Sequence, residues 1–360
     1  MKIISQEEII AMWSGNIDKP VVSIVCQTYN HEKYISMAIR SFLNQKTKFP
    51  FEIIIHDDAS TDKTTDIIRK YENLYPKIIK PIYQKENKYS KGIVIYTKEI
   101  YQHIRGNYIA VCEGDDYWCS ENKLQKCYDY LASHPDCSMV SHLTDVIRND
   151  LKKKKHFNPN FLQGGGILGS YDILIEANLI HYSSQFYRKK LIDDNISFFM
   201  QTYAYDMDFV MVAATEGYIY VIPEVMSIYR YWTNGSWSVR TDDDPDEMKL
   251  ISMLESAKNI TDLLNKYRNY KFNSVLSERI RRIDFHLYQL HGNIRKVKSD
   301  EYKDLYAKMP IYDKIILKYK AFPKPLRRFI RKKIRPIFLN AYLNIRIGSS
   351  DSNGFSEYKR

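Results

Sequence analysis

The sequence predicts an α/β protein, a Rossmann-like, mostly parallel sheet with flanking helices, followed by a helical C-terminal appendage. Three observations carry that prediction. Short β-branched apolar runs recur through the first 150 residues, as strands buried on both faces require. Segments with apolar residues at helical spacing separate them. From about residue 244 the pattern turns helical and basic to the end.

The first strand is VVSIVC at 21–26, which runs into the polar loop QTYNHEKY. YISMAIRSFLNQ then places Ile35, Ala38, Ile39 and Phe42 on one helical face. FEIIIH at 51–56 is the second strand, closed by DDASTDKT, where Ser60 or Thr61 stands ready to cap the helix TDIIRKYENLY with Ile67, Ile68 and Tyr71 inward. KIIKPIY at 77–83 is the third, followed by QKENKYSKG and a helix to about Arg105. NYIAVC at 107–112 is the fourth and ends in EGDDYW. Beyond residue 120 come the helix ENKLQKCYDYLASH and a strand, CSMVSHLTDVI, at 137–147. The stretch 151–166, LKKKKHFNPNFLQGGG, reads as a mobile loop from its lysine run, proline and three glycines. Residues 180–192 read as strand then turn. Residues 202–230 read as a helix from about Asp206 to a glycine cap at Gly217, then two short strands.

Composition narrows the functional classes. Hydrophobic content of 44% with 27% charged residues is that of a soluble globular chain. No run approaches ~18 apolar residues, and MKIISQEEII lacks the pattern of a signal peptide. The cysteines (Cys26, Cys112, Cys119, Cys127, Cys137) are odd in number with no CxxC, which points to a reducing, cytoplasmic setting. A net charge of +11 favours polyanionic partners, but no helix-turn-helix, RNP or zinc pattern is present, so a nucleic acid is not the expected one. No GxGxxG follows the first strand, which disfavours a dinucleotide oxidoreductase. A sugar nucleotidylyltransferase would want a Gly-rich basic loop where QTYNHEKY stands.

In open parallel sheets ligands bind beyond the carboxyl ends of the strands. QTYN, DDAS, QKENKYSKG and EGDD all fall at such ends, so four polar loops converge on one edge. Three crowded carboxylates resist burial unless something positive is shared between them. EGDD is therefore either a solvated turn or a metal site facing a phosphate, and the convergence of the loops favours the second.

Taken in order, VSIVCQTYN, IIIHDDASTDKT, GNYIAVCEGDDYW, AYDMDFV and GYIYVIPEVMSIYR resemble the motifs of family 2 glycosyltransferases, the inverting GT-A group, of the bacterial surface-polysaccharide type. The resemblance covers roughly residues 20–240. It implies a GT-A domain over 1–243, with a nucleotide-sugar half at about 20–120 and an acceptor half at 121–243, and leaves 244–360 as a helical basic region. Gln27 and Tyr29 would line the nucleotide pocket, Tyr29 stacking on the base. Asp58 would accept from a base N–H and Asp57 would orient that loop, unless the two form an Asx-turn that starts the helix. Asn87 and Lys91 would contact the donor sugar or diphosphate, unless they form a plain loop. In EGDD, standing at the DxD element, Asp116 would ligate Mn²⁺ or Mg²⁺ directly and Asp115 would hold the ribose or the metal's waters. Glu113 replaces the more usual first Asp, and Tyr117 with Trp118 would pack the turn.

The resemblance also implies that Asp206 is the base that takes the acceptor proton, behind Tyr205 and with Asp208 as its rival. Arg230 would contact diphosphate or form a structural ion pair. Related sequences often carry a His just after the final YR, where this one has Trp232. UDP-sugar is the expected donor, and a saccharide or polyprenyl-linked saccharide the expected acceptor. By position, 163–166 and 183–190 would frame the acceptor cleft, with His181 and Tyr182 reading as core packing or acceptor contacts. Finally, FPKPLRRFIRKKIRPIF at 322–338 interleaves basic and apolar residues. It can form an amphipathic helix on an anionic membrane, giving a peripheral position on its inner face, or a solvated helix packed on the catalytic domain. The competing reading of the whole chain is a non-catalytic nucleotide-sugar-binding or scaffold protein.

Overall fold

The computed structural model describes residues 4–148, 151–202, 206–231 and 247–321; the side chains of residues 148, 151–155, 206, 247, 249 and 319 lie outside the description. The chain divides into two compact units, Met1–Asp243 and Asp244–Arg360.

Over its described residues the first unit is built on a ten-stranded sheet. β1 (Val22–Thr28), β2 (Phe51–Asp57), β3 (Ile79–Tyr83) and β4 (Tyr108–Val111) run parallel in the order β3-β2-β1-β4. Their apolar runs are continuous because both faces are covered: every position of β2 is buried. α1 (Gln6–Ala11), α2 (Ile35–Leu43) and α3 (Thr64–Leu74) supply part of that cover, α2 burying Ile35, Ala38, Ile39 and Phe42. Neither Ser60 nor Thr61 caps α3. Asp62 Oδ1 accepts the Thr64 amide (2.9 Å) instead, and Ser60 turns back to Asp57 (2.5 Å). The helix expected up to Arg105 is replaced by a broken path, a 3-10 turn at Tyr89–Lys91, a π turn at Tyr96–Ile100 and a 3-10 turn at Tyr101–His103. The β-branched run Ile93-Val94-Ile95 with Thr97 pays side-chain entropy in a regular helix, while burial of Ile95, Tyr96 and Ile100 holds the irregular path.

After β5 (Tyr117–Trp118) and α4 (Lys123–Ser133), β6 (Cys137–Arg148) carries the sheet onward. β9 (Phe186–Arg188) lies antiparallel between β4 and β6 and joins the two blocks of strands. The lysine-rich 151–156 stretch is a strand and not a loop: β7 (Leu151–His156) pairs antiparallel with the far end of β6. A lysine run suits a strand with one partner, since charge discourages further pairing. β8 (Gly166–Leu168) pairs with β10 (Tyr218–Tyr231), which is one fourteen-residue strand where two were expected. Register shifts flank Val225, next to Pro223, and these bulges hide its continuity in the sequence. Between them come α5 (Ser170–Ile175), α6 (Lys190–Asp193), α7 (Ile196–Phe199) and α8 (Asp206–Glu216). Gly217 does end α8, but by close approach and not by a left-handed cap: a Cβ there would meet the Asp136 carbonyl oxygen at 2.3 Å.

The second unit is helical over its described residues, with the long helices Glu247–Tyr267 and Asn273–Leu290. Phe285, Val297, Tyr302, Met309 and Leu317 form one small core and Ile251, Ile283 and Leu287 another. Arg281 pairs with Glu278 on its own helix and with Asp304 on the helix Lys303–Lys308. The basic stretch 322–338 lies outside the described residues. Among those described, no helix is long and apolar enough to cross a membrane.

Candidate active site

β1, β2 and β4 are parallel neighbours, so their carboxyl ends deliver three loops to one edge. The loops are tied together by backbone bonds: the Asp58 amide donates to the Thr28 carbonyl (3.0 Å) and the Gly114 amide to the Gln27 carbonyl (2.9 Å). Ser60 Oγ accepts the Asn30 amide, and Asn30 Oδ1 accepts the Thr61 amide (2.8 Å). Asn30 (φ 55°) and Ala59 (φ 60°) sit in the left-handed region, an uncommon conformation that concentrates at functional loops. Gly114 is required by contact: a Cβ would lie 2.7 Å from Thr28 Oγ1.

On this edge Tyr29 is 42% exposed, a free aromatic face at the end of β1. Gln27 Nε2 donates to the Tyr182 hydroxyl (3.2 Å). Asp57 is buried and accepts from Ser60 and Thr65. Asp58, also buried, accepts the Lys88 amide on Oδ1 (2.7 Å) and the Tyr89 amide on Oδ2 (3.0 Å), which fixes the 84–92 loop against β2. In that loop Asn87 Oδ1 accepts the Ser90 amide, while the exposed Lys91 pairs with Glu86 (2.5 Å).

The acidic turn follows β4. Glu113 is exposed, Asp115 buried, and Asp116 only 1% exposed. Asp116 Oδ1 accepts the Arg230 amide from β10 (2.8 Å), whereas Oδ2 is buried with no hydrogen-bond partner. Burial, then the charges of Asp115 and Glu113, push its carboxyl well above the usual range. Arg230 donates to the Asp115 carbonyl, and its guanidinium lies between the rings of Tyr117 (4.5 Å) and Tyr34 (5.2 Å). Two histidines flank the turn: His31 Nε2 stands 3.9 Å from Asp115 Oδ2, and His181 Nε2 stands 3.9 Å from Asp116 Oδ2. Burial pushes the His181 imidazole down to about 3, so it is neutral. Neither pairing was legible as sequence, because His31 sits in a polar loop without periodicity and His181 is 65 residues from its partner.

α8 opens at Asp206, and its Phe209 ring packs on Tyr96 (4.7 Å) and Tyr187 (5.7 Å). Asp208 is buried within that helix. Tyr205 and Trp232 lie outside the described residues. Ser183, Ser184 and Gln185 are fully buried, so this part of the 183–190 segment belongs to the core.

Among the described residues, no three His, Cys, Asp or Glu side chains converge into a ready-made cation cage. A cation that keeps several waters and takes its other oxygens from a diphosphate needs only one or two protein carboxylates. A buried, unanswered Asp116 oxygen beside Asp115 fits that requirement.

An open, mostly parallel α/β sheet with an acidic turn at its carboxyl edge is the arrangement of a GT-A fold. Residues 23–205, just over half of the chain, match Glycosyl transferase family 2, and the chain belongs to that family. It is 38% identical over 216 residues to an uncharacterised protein of Mycobacterium tuberculosis (strain H37Rv), covering 60% of each chain. The chain thus spans about 60% of the length of that curated relative. It is also 28% identical over 181 residues to the minor teichoic acid biosynthesis protein GgaA of Bacillus subtilis, 49% of this chain and 39% of GgaA. Among solved structures, Staphylococcus aureus TarS (1–349) in complex with UDP-GlcNAc superposes with a TM-score of 0.52 at 18% identity, over 89% of this chain and 87% of that one. The mannosyltransferase PcManGT of Pyrobaculum calidifontis, with GDP-Man and Mn²⁺, gives 0.51 at 16% identity, over 86% and 83%. At these identities the likeness concerns the fold.

Proposed function

We propose that the protein is an inverting, divalent-cation-dependent glycosyltransferase that moves a sugar from a nucleoside diphosphate, UDP in the first instance, to a hydroxyl of a surface-polysaccharide or polyprenyl-linked acceptor. The observation that carries this reading is Asp116: a carboxylate buried at the edge where the loops converge, with one oxygen held by Arg230 and the other left unanswered. GgaA's name supports the acceptor class, and the ligands named for TarS and PcManGT support a nucleotide-sugar and a cation. Both UDP and GDP occur among these neighbours, so the nucleotide is decided by experiment.

The exposed Tyr29 ring stacks on the base. Asp58 accepts from the base edge with the lone pairs its two amide bonds leave over, and Asn87 and Lys91 meet the diphosphate or sugar. Asp116 and Asp115 would hold Mn²⁺ or Mg²⁺, which would supply Lewis-acid neutralisation of the diphosphate leaving group. Arg230, fixed between two tyrosines, adds positive charge on the same side. The acceptor oxygen attacks the anomeric carbon from the opposite face, and the bond from that carbon to the diphosphate oxygen breaks. The bonding pair leaves with the nucleotide, and the hydroxyl proton goes to the Asp206 carboxylate.

Thermal unfolding against UDP-, GDP- and dTDP-sugars, each with Mn²⁺ or chelator, tests the donor half. A donor at about a hundred times its Kd adds roughly 2.7 kcal/mol. The expected result is a shift with one nucleotide class that needs the metal and is lost in Asp116→Asn. Asp206→Asn should keep the shift and lose about 10²–10⁴-fold in transfer. Donor binding without any transfer by the native chain would make it a scaffold, and no shift with any donor would refute the reading. We also read the 322–338 stretch as membrane-facing. Liposome flotation should lose its dependence on anionic lipid when the chain stops at 321, and equal partitioning would end that idea.

A further inference from the structure

Behind the acidic turn a set of buried polar groups connects α4 to Asp116, and the proposed chemistry does not use it. Lys123, at the first turn of α4, is fully buried, with its ammonium 3.7 Å from the centre of the Trp118 ring. Lys123 Nζ (3.1 Å) and Trp118 Nε1 (3.0 Å) donate to the same acceptor, the Ser183 carbonyl oxygen. Ser183 in turn fixes an imidazole: its backbone N–H donates to His181 Nδ1 (3.2 Å), and its hydroxyl lies 2.7 Å from the same nitrogen. A backbone amide can only donate, so Nδ1 bears a lone pair and the proton of the neutral ring sits on Nε2. That N–H is the group facing the unanswered Asp116 oxygen at 3.9 Å.

We propose that His181 is a positioning residue for Asp116, a neutral donor that aims the carboxylate without ligating the cation, and that Lys123 acts through Ser183 to hold His181 in place. The inference rests on the reading that Asp116 holds the cation. Its content is the tautomer. An imidazole ligand must offer Nε2 as a lone pair, and the Ser183 amide forbids that tautomer. A movement of about 1 Å brings Nε2 within hydrogen-bond reach of Asp116. Arg230 then grips one oxygen and His181 shares the other with the cation. Outer groups of this kind, lost by mutation, cost about 10- to 100-fold in metal affinity.

The test titrates Mn²⁺ into the full chain in the presence of UDP, followed by electron paramagnetic resonance. The native spectrum should lack the ¹⁴N coupling of a directly bound imidazole, and finding that coupling would overturn the proposal without any variant. His181→Leu should weaken Mn²⁺ about 10- to 100-fold, while His181→Gln, which keeps a donor, should stay within about threefold. Lys123→Met should fall between them while remaining cooperatively folded. Unchanged Mn²⁺ affinity in folded His181→Leu would overturn this inference alone. A native chain that binds no Mn²⁺ would overturn the cation reading and this one with it.

Discussion

Two carboxylates in the first unit are equally buried and differently treated. Glu52, near the amino end of β2, and Asp116, past the carboxyl end of β4, are each 1% exposed. Glu52 Oε1 accepts from Ser23 Oγ (2.6 Å) and the Arg105 amide (3.0 Å), while Oε2 accepts from Arg105 Nε (2.7 Å) and pairs with its Nη2 (2.6 Å). Asp116 has one backbone amide and two acidic neighbours. A carboxylate that burial would otherwise penalise is thus fully answered at one end of the sheet and left short at the other. The first arrangement ties Ser23 of β1 and Arg105 to β2; the second leaves Asp116 Oδ2 buried without a hydrogen bond.

The contrast breaks most visibly on activity. Asp116→Asn should lower transfer by about 10²-fold or more without lowering the unfolding midpoint, because it removes a crowded charge. Glu52→Gln should do the reverse, costing roughly 2 kcal/mol with full activity per folded molecule, because an amide NH₂ then faces Arg105 or Ser23. Equal losses of stability in the two variants, measured by denaturant titration, would erase the distinction.

Two glycines sharpen it. Cβ atoms at Gly106 and Gly114 would meet Ser23 N at 2.5 Å and Thr28 Oγ1 at 2.7 Å. Alanine at either should cost about 1–3 kcal/mol. Only Gly114→Ala should also weaken UDP binding by calorimetry, since it alone displaces the acidic turn. Tyr29→Ala, at an exposed ring, should leave stability within about 0.5 kcal/mol. Its nucleotide affinity should still fall about tenfold, the lower end of the stacking range.

A further effect is a pH slope. Burial pushes the Lys123 ammonium down to about 8 from 10.5. Between those values the folded chain sheds a proton that the unfolded chain keeps, so this residue makes stability rise with pH across that window. The difference between the native chain and Lys123→Met, measured from pH 7.5 upward, should show that rise, and a flat difference would place the lysine in water.

The parallel block was readable from VVSIVC, FEIIIH, KIIKPIY and NYIAVC because strands covered on both faces have no alternative to continuous apolar runs. The convergence of QTYN, DDAS and EGDD followed from topology alone. β7 was not readable, since LKKKKH has no apolar period and owes its strand to pairing with β6. Nor was β10 as one element, because Pro223 and the bulges beside Val225 interrupt its alternation. Within the site, the sequence showed which acids gather. It was silent on the partners of Asp116, whose Arg230 amide and His181 ring come from distant segments.

β10 also has a meaning in time. The amide that completes Asp116 belongs to a residue 114 positions further along the chain. At about 5–20 residues per second, a ribosome needs roughly 6–23 s to make that stretch. During this interval the nascent chain has its acidic turn but not the strand that contacts it. A growing chain therefore carries Asp116 without the Arg230 amide until β10 has been synthesised.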